Sequence, residues 1–218
     1  MKLSLLVHQV RLGAREFQVV RPGRPLPHAV LIDRAYSLDA YVDKEAAERI
    51  GGLWTLAAMS PRALVHLPIR ANRPPVPGPP EDTPRLLDLV LLHHSLQFAP
   101  ADWKDIRSRL GRGRPRTVTL SAAALEADAG LDPAARHHRE NRDLIHQHVR
   151  AETLFMTGSA KVFRETAGHF HELARTGPED VAPYPHGPHH CTRFRSDDGT
   201  LANGREIHVE YAPVWSAS

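Results

Sequence analysis

The sequence predicts an α+β fold, or a mixed-sheet α/β fold, in a protein of ordinary globular composition. Segments with strand-like and helix-like apolar patterns follow one another without the strict alternation of a parallel α/β protein. Turns that contain Gly or Pro separate these segments. Hydrophobic residues make up 41% of the 218 residues and charged residues 24%, so the chain is long and apolar enough to bury a core.

The N-terminal part of the chain is predicted to be rich in β-hairpins. Apolar residues on both sides of Gly13-Ala14 indicate two strands joined by a tight turn. A third strand, a helix and a fourth strand should follow. The expected elements are strands over 3–12, 16–20, 28–32 and 62–69, and a helix over 37–59.

A proline-rich segment divides the sequence. Residues 71–85 contain six prolines, which excludes a helix or an inner strand there. We expect this segment to be a stiff connector between an N-terminal lobe over 1–70 and a C-terminal lobe over 86–218. The alternative is one continuous domain.

The C-terminal part is predicted to contain an antiparallel pair of helices and a terminal β-hairpin. Gly158 can end one helix and Ser159 can cap the next, so the two helices should fold back on each other. The terminal hairpin should pair residues 191–195 with residues 206–211. The other expected elements are strands over 86–92 and 117–120, and helices over 100–110, 133–156 and 160–174.

Cysteine content and hydropathy favour a cytoplasmic location. The single cysteine, Cys191, excludes an intramolecular disulfide and a cysteine-based zinc ribbon, and it suits a reducing compartment. The apolar start of the chain is interrupted at His8 and is too short for a signal peptide. No stretch approaches the roughly eighteen apolar residues of a membrane span. We therefore expect a cytoplasmic protein with no membrane partner.

Histidines provide the main functional signal. Of the fifteen histidines, ten lie between residues 137 and 208. Glu152 follows His148 by four residues, and His169 follows Glu165 by four residues, so each pair should share a helix face. Across the predicted helix pair, two imidazoles and two carboxylates would suit Zn²⁺, Fe²⁺ or Mn²⁺. The alternative is an ordinary helix–helix contact.

These residues predict metal-assisted hydrolysis, or related acid–base chemistry, on a small polar or phosphorylated substrate. Glu152 would act as the general base toward metal-bound water. A third histidine is expected from the Pro/Gly-rich loop after the second helix. The predicted metal ligands are His148, His169, Glu165 and His189, with His186 and His190 as alternatives to His189.

An arginine-rich loop supports a second hypothesis. Residues 107–116 contain five arginines, and Arg112-Gly113-Arg114-Pro115 resembles the core of an AT-hook, a short motif that binds the minor groove of DNA. Arginines in a Gly-rich loop also suit bidentate contacts with phosphate. Arg112 and Arg114 are therefore the predicted anion-binding residues. The alternative is an exposed loop without a ligand.

Two further hypotheses complete the set. The spacing of Arg142 and His148 is similar to that of HEPN ribonucleases, which would imply RNA cleavage. HEPN domains are helical bundles, however, and strands are predicted on both sides of this segment. A nucleic-acid-binding or RNA-cleaving accessory protein is thus the second functional hypothesis. A non-enzymatic interaction protein that docks through residues 71–85 is the third.

Overall fold

A computed structural model describes residues 1–75, 85–125, 136, 138, 140–181 and 190–215 of the chain. Twelve strands and four α-helices lie in this part of the chain. The strands are β1 Lys2–Leu12, β2 Arg15–Pro22, β3 Ala29–Asp33, β4 Ser37–Val42, β5 Ala63–Leu67, β6 Arg85–Leu86, β7 Asp88–His93, β8 Arg114–Thr119, β9 His146–Arg150, β10 Thr153–Gly158, β11 Cys191–Phe194 and β12 Glu206–Tyr211. The helices are α1 Lys44–Met59, α2 Trp103–Ser108, α3 Ala122–Leu125 and α4 Ala160–Val181.

These strands form two mixed sheets. The seven-stranded sheet has the order β8-β1-β2-β5-β7-β10-β9, and the five-stranded sheet has the order β11-β12-β4-β3-β6. The pairs β2–β5, β7–β10 and β4–β12 are parallel, whereas the other neighbours are antiparallel. The predicted α+β class is confirmed.

Strands from both sides of the proline-rich segment occur in each sheet. β1, β2 and β5 share the larger sheet with β7 to β10, and β3 and β4 share the smaller sheet with β6, β11 and β12. Residues 76–84 of the predicted connector lie outside the described part of the chain. The division into two lobes stays a prediction.

Both predicted hairpins are present. β1 and β2 pair antiparallel up to Leu12 opposite Arg15, and Gly13 in the turn has a φ of 62°. This left-handed conformation favours glycine. The terminal hairpin forms between β11 and β12, with Phe194 opposite Ile207.

The helix expected over residues 37–59 begins later than predicted. Residues 37–42 form β4, and α1 begins at Lys44. The Asp43 side chain accepts a hydrogen bond from the Ala46 backbone N–H at 2.7 Å, which caps the helix. The missed signal is the alternation of Leu38, Ala40 and Val42 with more polar residues, a period of two that is typical of a strand.

The prediction of a helix over residues 133–156 is wrong for the described part of that range. β9 and β10 form an antiparallel hairpin there, while residues 126–135 lie outside the described part. The antiparallel helix pair is therefore absent from the described residues. The second helix does form as α4, and the Val162 N–H donates to the Ser159 hydroxyl at 3.2 Å, so the predicted cap is present.

The hairpin turn overrides local helix preference. Its two central residues, Ala151 and Glu152, have φ values of 49° and 57° although both are good helix formers. Leu154, Phe155 and Met156 are buried together, as expected for an inner strand covered on both faces. That continuous apolar run is compatible with a strand as well as with a helix.

Helices cover both faces of the larger sheet. On one face, α1 and α4 pack in the main core, which also receives side chains from the smaller sheet. Trp54 of α1 donates its indole N–H to the Thr166 hydroxyl of α4 at 2.8 Å. On the other face, α2 places Trp103 beside Phe155 and Leu64 in a second cluster. Within the described ranges, no helix combines the length and apolar character needed to cross a membrane.

Candidate functional site

The structure places His148 and His169, the two helix-pair histidines of the predicted metal set, on opposite faces of the seven-stranded sheet. His148 is exposed on β9 and lies opposite Phe155, which belongs to the cluster under α2. Cross-strand partners share a face, so His148 is on the α2 side. His169 lies on α4, on the other side, with its Nδ1 at 2.8 Å from the Thr192 hydroxyl.

The two carboxylates of that set have basic partners. Glu165 is buried and lies 3.4 Å from Arg136 and 3.9 Å from Lys161. Burial raises the pKa of Glu165, and both cations oppose this rise. Glu152 lies in the β9–β10 turn and forms ion pairs with Arg70 and Arg107.

The remaining predicted ligands belong to the loop before β11. His186 and His189 lie outside the described residues. His190 is described, with its Nδ1 at 2.7 Å from an Asp180 oxygen and its Nε2 at 2.9 Å from the Thr176 hydroxyl. Among the described residues, no group of three or more His, Cys, Asp and Glu is arranged to hold a metal. Metal binding stays a prediction.

The predicted anion-binding arginines lead to a different site, a groove at the β8–β1–β2 edge of the larger sheet. Its volume is about 660 Å³, which is within the usual range for small-molecule sites. Arg116 lies opposite Leu5, Arg114 lies opposite Val7, and Val7 lies opposite Val20. These side chains therefore share one face and form one wall of the groove.

Two arginines give the groove its charge. Arg114 and Arg116 are exposed, and their spacing of two residues along β8 directs both side chains to the same face. No Asp or Glu is among the described residues that line the groove. Arg112 is exposed in the preceding loop and does not line it. None of these three arginines has an ion-pair partner in the described part of the chain.

A buried histidine lies at the margin of the groove. His8 is 4% exposed, and neither ring nitrogen has a well-formed hydrogen bond within the described ranges. Burial lowers the pKa of His8, the charge of Arg21 lowers it further, and the Gly111 backbone opposes the shift. The imidazole is thus neutral near pH 7. His8 lies opposite Val19 of the cluster under α2, so its ring points to the α2 face of the sheet, away from Arg114 and Arg116.

Gly113 allows the loop before β8 to cover His8. Its φ is +72°, and an added Cβ would lie 2.7 Å from the His8 ring carbon Cε1. A side chain would therefore be strained by the backbone and would collide with the imidazole. The Arg112-Gly113-Arg114-Pro115 sequence therefore spans the end of this loop and the start of the paired strand β8, which begins at Arg114.

The end of α1 forms another wall of the groove, through Leu56 and Ser60. A helix C-terminus carries about half a negative charge. Two guanidinium charges outweigh it, so the groove remains positive.

A second cluster of arginines, which we call the Asp88 network, lies on the α2 face of the same sheet. Asp88 is buried at the start of β7, and its oxygens lie 3.4 Å from the Arg70 guanidinium and 3.6 Å from that of Arg107. His66 Nε2 lies 3.4 Å from the same carboxylate. Arg107 also donates to the Ala151 carbonyl at 3.2 Å.

Protonation states in the Asp88 network follow from burial and charge. Burial alone would raise the pKa of Asp88, but His66 and Arg70 hold it below its usual value. Burial lowers the pKa of His66, although Asp88 opposes the shift. Asp88 is therefore ionised, and a neutral His66 donates from Nε2. Since Arg70 and Arg107 also pair with Glu152, the network is largely satisfied internally.

Sequence reasoning identified Arg114 but missed the rest of the groove. Arg116 carried a usable signal, because it follows Arg114 by two residues in a strand. His8 also carried one, since it interrupts the apolar first strand at a position that is buried. No local signal indicated that the end of α1 would close the groove.

Comparisons of this chain with family models, with curated proteins and with solved structures found no match. A function therefore has to be inferred from the geometry of the chain itself.

Proposed function

We propose that the protein binds a phosphorylated or otherwise anionic small molecule in the groove at the β8–β1–β2 edge. The observation that carries this proposal is a concave site of about 660 Å³ with two arginines and no described carboxylate in its lining. Guanidinium groups bind phosphate and carboxylate oxygens through paired N–H donors. An external anion would supply the partner that these arginines lack within the described chain.

Thermal unfolding with inorganic phosphate as the probe tests this function. A ligand that binds only the folded state stabilises it by RT ln(1 + [L]/Kd), or about 2.7 kcal/mol at a hundredfold excess over Kd. Phosphate should raise the Tm of the wild type above that in chloride of equal ionic strength. The double variant Arg114→Ala/Arg116→Ala should lose this rise.

A matched control is available on the opposite edge of the same sheet. Arg150 is exposed on β9, the strand at the other end of the sheet from β8, so Arg150→Ala removes one arginine charge away from the groove. It should keep the full phosphate effect. The double variant itself should unfold within about 0.5 kcal/mol of the wild type, because exposed charges contribute little to stability. A phosphate effect that survives in the double variant would place the anion elsewhere.

The metal-assisted hydrolysis predicted from histidine and glutamate spacing remains a separate hypothesis. Its support is weaker, since His148 and His169 lie on opposite faces of the sheet and Glu165 has two cationic partners. Elemental analysis of purified protein tests it: stoichiometric zinc, iron or manganese would favour it.

A further inference from the structure

We propose that the ligand of the groove is a small phosphate monoester with an apolar organic body, and not the phosphodiester chain of a nucleic acid. This inference rests on the proposed function and narrows it to one class of anion.

The charge of the groove matches a dianion. Arg114 and Arg116 contribute two positive charges from the same face of β8, with no carboxylate among the described lining residues. A phosphate monoester carries about −1.5 to −2 charges near pH 7 and has three terminal oxygens. A phosphodiester carries one negative charge per phosphate and has two such oxygens. Two guanidinium forks supply enough N–H donors for all three oxygens of a monoester.

The other walls suit a compact apolar body. Leu5, Val7, Val20, Leu56 and Val118 form apolar surface beside the arginines. No Phe, Tyr or Trp side chain is among the described lining residues, and these side chains form the stacking surface typical of single-stranded nucleic-acid sites. The last turn of α1, which lines the groove, carries no basic residue. It therefore offers no contact to a second phosphate of a nucleic-acid chain.

A matched pair of esters tests the inference. The full-length protein is titrated by calorimetry with n-butyl phosphate and with dibutyl phosphate near pH 7.5, at constant ionic strength. An eight-residue oligothymidylate serves as the nucleic-acid probe. The monoester should bind about tenfold or more tightly than the diester, because its second negative charge meets two guanidinium groups. The oligonucleotide should bind no more tightly than the diester.

A conservative variant tests the arginine contact. Arg116→Lys keeps the charge and loses the paired N–H donors of the guanidinium group. It should weaken monoester binding severalfold, with melting measured to confirm the fold, and unaltered affinity would overturn the inference. Arg150→Ala should bind both esters as the wild type does.

The outcomes separate the two proposals. Equal affinity for both esters, or tighter binding of the oligonucleotide, overturns the monoester class. If such binding still requires Arg114 and Arg116, the proposed function stands. If inorganic phosphate and all three probes fail to bind the wild type, the proposed function itself is overturned.

Discussion

Two pairs of arginines on the seven-stranded sheet differ in how the rest of the chain neutralises them. Arg70 and Arg107 meet Asp88 and Glu152 in the Asp88 network. Arg114 and Arg116 line the groove, where the described residues offer no carboxylate. Asp88 has a side-chain exposure of only 4%, whereas both groove arginines are exposed.

The difference shows how the same residue type takes on a structural or a binding role. A buried charge is tolerated only when a partner and hydrogen bonds compensate for lost hydration. The Asp88 network meets this requirement with its own carboxylates and joins β7, α2 and the β9–β10 turn. The groove keeps its arginines hydrated, and hydrated arginines remain available to an external anion.

The largest expected effect is in the Asp88 network. Asp88→Ala should lower the free energy of unfolding by about 3–5 kcal/mol. It removes the acceptor of the buried His66 and of the Arg70 backbone N–H, and it leaves the partly exposed Arg70 and Arg107 without their shared carboxylate. Urea unfolding measures this loss. The control is Asp105→Ala, which removes an exposed carboxylate from α2 and should cost less than about 1 kcal/mol. A loss below about 1 kcal/mol in Asp88→Ala would show that the network contributes little to stability.

A smaller effect is expected at the loop over His8. Gly13 and Gly113 both have left-handed φ values, but an added Cβ meets nothing within 4 Å at Gly13 and meets the His8 ring at Gly113. Gly13→Ala should cost about 1–2 kcal/mol from backbone strain alone. Gly113→Ala should cost about 1–3 kcal/mol more from the steric clash.

A double variant identifies the source of that additional cost. In a His8→Ala background, Gly113→Ala should cost about as much as Gly13→Ala, since the ring is gone. The same denaturant titrations provide the four free energies of the cycle. If the additional cost persists without the ring, the loop does not rest on His8.

The smallest expected effect is a pH dependence that both regions share. The pKa values of His8 and His66 are lowered by burial in the folded protein. Below about pH 6.5 the unfolded chain takes up protons at these histidines while the folded protein does not. The free energy of unfolding should therefore fall as pH is lowered from about 7.5 to about 5.5.

Single variants show how much each histidine contributes to the slope of the unfolding free energy against pH. His66→Gln and His8→Gln should each reduce it, and the difference from the wild type isolates one histidine at a time. Asp88 adds no slope in this range, because its lowered pKa keeps it ionised. Glu165, with its raised pKa, contributes in the opposite direction and cancels in the difference. Unaltered slopes in both variants would contradict burial of neutral histidines.

Strong local patterns predicted much of the fold. The N-terminal hairpin followed from the apolar segments around Gly13, and the cap of α4 followed from Ser159. Helix propensity failed at Ala151 and Glu152, because pairing of β10 with β7 and β9 outweighs it. The spacing of four between His148 and Glu152 does not place them on one helix face for the same reason, since both residues lie in a hairpin.

The groove was harder to predict because its walls come from distant parts of the chain. Arg114 could be identified from composition and spacing. Its pairing with Val7, and the approach of Leu56, depend on contacts more than fifty residues apart in sequence. Whether an arginine has a carboxylate partner is likewise a property of the folded chain.

The position of β8 links the groove to self-association. β8 is an outer strand of its sheet, so one side of it has no neighbouring strand among the described residues. Unpaired strand edges promote aggregation, and proline and charged side chains oppose it. Arg114, Pro115 and Arg116 place these features together on β8. Neutralising both arginines, by substitution or by a bound anion, therefore weakens a barrier to edge-to-edge pairing between molecules.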